Sequence, residues 1–255
     1  MMTLGLRLIA LWFLCSILSK CGVMKFFDKF ALCVLVCTVL TSCDSGDIEM
    51  VYEDEMDGRT VRADVAFSGI EAWPKAYSLV FAAWGADGNV PVSSVVVEKP
   101  NEECGRVSAE LNSISDNVKF ISISLLSKGR SHLYTFDKTY DFAEGSVDFG
   151  LINVAEYDRI QNQVFNAYCI SCHGAGNHAA AGLGLTADLG ADALVNVPAK
   201  RSEDSKVLVA PENVKESFLV EILENDVVGY NHTDVLPESE LIDLIKTWIK
   251  TCENN

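Results

Sequence analysis

The chain has 255 residues, 49% of them hydrophobic and 22% charged, an apolar share that excludes global disorder and leaves room for two folded parts. Lysine and arginine number 20 against 36 aspartates and glutamates, a formal charge of −16, which excludes nucleic acid as a partner because its phosphates would be repelled. So acidic a surface stays solvated and favours basic partners.

Five of the nine cysteines, Cys15, Cys21, Cys33, Cys37 and Cys43, fall in the first 43 residues. There, Met24-Lys25-Phe26-Phe27-Asp28-Lys29 precedes a short apolar run and Thr41-Ser42-Cys43, the order of a secretory signal whose core is too short to span a bilayer comfortably. The ending Leu40-Thr41-Ser42-Cys43 resembles the lipobox of bacterial lipoproteins, which implies cleavage before Cys43 and lipidation of its thiol. Residues 1–42 are therefore expected to be an export segment, with the signal at 24–42 and residues 1–23 either upstream of a true start at Met24 or a second hydrophobic segment ahead of the signal. Cleavage there removes four cations and one acid and takes the charge from −16 to −19. Residues 43–58 follow as a lipidated acidic tether: Asp44 to Asp57 holds seven acids and no lysine or arginine, and such a run repels itself and stays extended.

From residue 59 to 152 the periodicity is two. Val61-Arg62-Ala63-Asp64-Val65-Ala66-Phe67 alternates apolar residues with charged or small ones, Arg106 to Leu111 repeats the pattern, and Lys119 to Leu125 alternates isoleucine with serine, all marks of half-buried strands. Tyr77 to Trp84, Val92 to Glu98 and His132 to Tyr140 add β-branched and aromatic runs between turn-forming stretches. These predict an antiparallel β-sandwich. Trp73 and Trp84 are read as core rather than as a stacking platform, and no catalytic constellation stands out in this region.

Near Asn153 the pattern turns helical. Residues 155–168 place Ile160, Val164, Phe165 and Tyr168 on one side and leave Arg159, Gln161 and Gln163 for water, as in an amphipathic helix. That helix leads into Cys169-Ile170-Ser171-Cys172-His173, the attachment signature of a c-type haem. Each thiol adds across one haem vinyl group, and the adjacent imidazole becomes the proximal iron ligand. A zinc site would need a second ligand pair at similar spacing, and a thioredoxin-type dithiol would need a preceding βαβ pattern. Further on, Pro211-Glu212-Asn213 opens a helix with the stripe Phe218, Leu219, Ile222 and Leu223. Pro237-Glu238-Ser239-Glu240 opens a last helix carrying Leu241, Ile245 and Trp248 at i, i+4, i+7. With Cys169 and Cys172 given to haem, Cys104 and Cys252 remain, either as a disulfide or as two thiols.

Within a second domain expected at residues 153–255, residues 155–252 resemble a class I cytochrome c domain of the kind that ends exported bacterial lipoproteins. The likeness rests on Val164-Phe165 before the Cys-Ile-Ser-Cys-His motif, on Pro211 with Ser217-Phe218-Leu219-Val220, and on Leu236-Pro237 before a Trp-Ile helix. It implies a C-terminal all-α cytochrome c-like domain after the N-terminal all-β part. The family commonly supplies a methionine as sixth ligand beside that proline, yet no methionine follows Met56. His232, four residues before Leu236, is then the candidate distal ligand. His178 lies too close to His173 in sequence to pass round the haem, and an open sixth position is the alternative.

The expected function is electron transfer by covalent haem c in a membrane-anchored envelope lipoprotein, not an enzyme, facing the periplasm or the outer-membrane surface and serving a redox partner protein. The competing expectations are a gas-binding or peroxide-reactive haem protein with an open sixth site, or a surface binding module in which haem is secondary.

Overall fold

The computed structural model describes residues 58–252. The export segment, most of the acidic tether and Cys43 lie outside the described residues.

Seven strands, β1 (Arg59–Ser68), β2 (Ser78–Trp84), β3 (Ser93–Val96), β4 (Gly105–Ile114), β5 (Phe120–Leu126), β6 (His132–Thr139) and β7 (Ser146–Asn153), build two sheets, β4-β1-β7 and β3-β2-β5-β6. The alternation in β1 does what period two requires: Val61, Ala63, Val65 and Phe67 are buried, and they meet Leu79, Phe81, Ile121, Ile123 and Leu125 of the facing sheet. Strand β7 runs parallel to β1, pairing Arg62 with Ser146 and Phe67 with Ile152, so the sandwich is mixed rather than wholly antiparallel. The four-stranded sheet also buries its outer face. Val80, Ala82, Trp84 and Leu126 form a second small cluster there, with Phe120 stacked on Trp84 at 6.0 Å. Ser122 and Ser124 face this layer instead of water; Trp84 Nε1 donates to Ser122 Oγ at 2.7 Å, which lies 2.6 Å from Ser124 Oγ.

The expected C-terminal all-α cytochrome c-like domain is not what the chain forms. Beyond β7 the described residues form three α-helices, α1 (Tyr157–Ile160), α2 (Phe218–Glu224) and α3 (Ser239–Thr251). Between α1 and α2 lie a π-helical segment, Gln161–Cys169, and 3₁₀ turns joined by isolated bridges such as Val195 with Val209. The reason is local. Residues 174–193 are mostly glycine and alanine with no apolar stripe to hold a helix against a core. Widening to i→i+5 bonding also changes which residues of 161–169 face inward: Gln161 and, in α1, Arg159 are buried, while Tyr168 is exposed.

A second core joins Ile160, Val164 and Phe165 to Leu219, Leu223, Leu244, Ile245 and Trp248. It meets the sandwich through a polar seam. Glu240, on the first turn of α3, is buried and accepts from the backbone N–H groups of Lys75 and Ala76 at 3.1 and 3.0 Å. Arg159, 1% exposed, donates from Nη1 to the carbonyls of Ala72 and Val154 at 3.1 and 2.8 Å. Tyr134 donates to Glu156 at 2.6 Å, and Lys250 pairs with Glu71. Gly69 marks the crossing point: it has φ +66°, and a Cβ there would stand 2.5 Å from Asn153 Oδ1.

Candidate haem site

The π-helical segment ends at Cys169, and one tight turn carries the chain to His173: the N–H groups of Cys172 and His173 both donate to the Cys169 carbonyl. The chain then doubles back, Leu185 N–H donating to the His173 carbonyl at 2.7 Å. This return sets the Leu183 carbonyl 3.2 Å from His173 Nδ1. A backbone acceptor on one imidazole nitrogen fixes the ring and leaves the other nitrogen for a ligand.

Across from His173 stands His232, carried by the loop between α2 and α3. The ring centres are 6.3 Å apart with planes inclined by 32°. Tyr230 packs edge-on against His232 at 4.9 Å, and the Val235 N–H donates to the His232 carbonyl at 3.1 Å. His232 Nδ1 is buried and has no hydrogen-bond partner, a condition that costs about 1–3 kcal/mol unless a ligand relieves it.

Both histidines and Cys172 line a cavity of about 670 Å³ whose walls include Leu183, Leu189, Leu208, Phe218 and Ile222. Apolar walls with a few convergent polar groups are the ordinary composition of a cofactor site of that size. Cys169 is placed differently. It is half-buried against the helical core, where burial first and the neighbouring Cys172 second push its thiol up to about 11. Cys172 is exposed. To share one ligand with Cys172, the Cys169 side chain has to turn from the core towards the cavity.

The donor set itself narrows the chemistry. Among the described residues no group of three or more His, Cys, Asp or Glu side chains is placed to hold a metal ion, whereas structural and catalytic zinc sites use three or four protein ligands. Two facing imidazoles suit a metal whose remaining positions are filled by its own macrocycle.

The remaining sequence candidates are dispersed. His178 is exposed in a 3₁₀ turn and does not line the cavity. Cys104 is an exposed thiol in the turn before β4, with φ +59°, and Cys252 follows α3, half-buried against the helical core. Leu185, whose N–H closes the return to His173, belongs to that core and does not line the cavity. His132 meets Thr135 Oγ1 at 2.8 Å and Trp84 edge-on. Cavity residues that sequence reasoning missed are Lys200, Arg201 and Tyr230; only the adjacency of two cations in an acidic chain could have flagged the first pair. Among the described residues no helix is long and apolar enough to cross a membrane. Comparison with protein-family models, curated proteins and solved structures finds no match to this chain.

Proposed function

We propose that the chain holds a covalent c-type haem through Cys169 and Cys172, with His173 and His232 on the iron, and works as an electron carrier tethered to a bacterial envelope membrane by a lipid on Cys43. The observation that carries this reading is the pair of imidazoles facing each other over an apolar cavity, one of them ending the Cys-Ile-Ser-Cys-His run. When bound, haem supplies a one-electron iron couple.

The chain's residues do the rest. The Leu183 carbonyl orients His173, and the loop through Tyr230 presents His232. Leu208, Phe218 and Ile222 keep water from the cavity walls, and burial of this kind is a lever on the redox potential. Two imidazoles in place of imidazole and thioether lower that potential, consistent with a chain that has no methionine after Met56. The partner is a redox protein, and a surface this acidic favours a basic one.

The test is spectral. Chain exported with a haem-ligation apparatus should give a covalent pyridine haemochrome of the c type and a low-spin spectrum. His232→Ala should lose the low-spin form while keeping the haem. Material without tetrapyrrole refutes the proposal, and a wild-type protein that is high-spin and takes up carbon monoxide replaces it with the open-site reading.

A further inference from the structure

The wall composition of the cavity has a charge bias that runs against the rest of the molecule. The chain has 36 acids to 20 lysines and arginines, yet the cavity is lined by two cations, Lys200 and Arg201, and by no aspartate or glutamate. Neither cation makes an ion pair with another described residue. Both sit at the end of a narrow loop closed by pairing of Pro198 with Val207 and by the Ala199 N–H donating to the Lys206 carbonyl at 2.9 Å. Lys200 Nζ reaches over Gly182, 3.2 Å from where a Cβ would stand on that residue, beside the segment whose Leu183 carbonyl meets His173.

A cavity that is apolar in its walls, cationic at one place and free of carboxylates selects a mostly hydrophobic ligand bearing anionic groups. We propose that Lys200 and Arg201 form the carboxylate-binding edge of this cavity and take the two propionates of the haem. The inference rests on the haem reading above and deepens it: His173 and His232 address the iron, Cys169 and Cys172 fix the rotation of the ring, and Lys200 and Arg201 neutralise its charged edge. An arginine fork matches a carboxylate with two parallel hydrogen bonds, and a lysine adds a point charge.

The experiment uses the full haem-loaded chain and the variants Lys200→Gln, Arg201→Gln and their double, with Lys128→Gln in the β5–β6 turn as a control. Pyridine haemochrome counts the haem, resonance Raman reads the propionate bending bands, and potentiometry reads the midpoint. The expected result is unchanged haem content, displaced propionate bands in each cavity variant, and a lowered midpoint that is lowest in the double variant, because lost positive charge favours ferric iron. The control should match wild type. Haem-loaded variants whose bands stay in place overturn the carboxylate edge and leave the haem reading standing; wild-type chain without haem overturns both. If the double variant does not mature, the two single variants decide by the same bands.

Discussion

Arg159→Met tests whether the polar seam holds the two halves together. The guanidinium is 1% exposed and donates to the Ala72 and Val154 carbonyls and, through Nε, to Gln163 Oε1 at 2.8 Å. Burial lowers its pKa to about 10, with Glu240 the largest of the opposing influences, so it is charged at pH 7. Methionine matches much of the volume but strands two buried carbonyls and leaves the Glu240 carboxylate without its nearby cation. Breaking a buried charge arrangement from one side costs about 3–5 kcal/mol. At about 2 kcal/mol per molar urea, the unfolding midpoint should fall by roughly 1.5–2.5 M. Adding Glu240→Gln removes the second charge, so the double variant should lose at least about 1 kcal/mol less than the two single losses added together. Circular dichroism in urea measures all four proteins. A midpoint for Arg159→Met within about 0.5 M of wild type, or strict additivity in the cycle, refutes the seam as a stabilising unit.

Tyr134 gives a pH prediction. Burial first, and then its bond to Glu156, hold the phenol well above the ordinary range near 10. A raised folded-state pKa means stability that is complete below the unfolded value and is lost as pH climbs past it. Tyr134→Phe should therefore be less stable than wild type at pH 8, by about 1–2 kcal/mol for the lost bond, and the gap should narrow by pH 11; a gap that widens counts against the assignment. In chain made without haem, iodoacetamide at pH 8 should label exposed Cys172 and Cys104 more than ten times faster than Cys169, whose thiol is raised to about 11. Peptide mapping by mass spectrometry reads the order, and equal rates would show that Cys169 is not held in the helical core.

The sequence disclosed the parts of this structure that obey a single period. Val61 to Phe67 alternates and is buried in alternation, and Leu241, Ile245 and Trp248 line the inner face of α3. Strand β7 escaped notice because Asp148 and Gly150 interrupt its pattern, and its parallel pairing with β1 is a long-range choice that no local run of residues encodes. Arg159 and Gln161 were expected in water because their side chains are polar; tertiary partners on the sandwich and on the 183–185 return override that preference. At the site, spacing alone singled out Cys169, Cys172 and His173. His232 was a candidate by its distance from Pro237, and only the fold puts its ring opposite His173. Lys200 and Arg201 carried only the signal of their adjacency, since two neighbouring cations are common and their shared cavity depends on how residues 198–207 close.

The order of pairing around β1 has a consequence for how the molecule comes into being. This strand is the middle of its sheet, yet its parallel neighbour is synthesised about eighty residues after it. Until that late stretch has emerged, one whole edge of β1 stays open and cannot be satisfied by anything nearby in the chain. The protein therefore cannot assemble from its front end alone, and a copy truncated at residue 145, which lacks all of β7, would offer that raw edge to any passing strand.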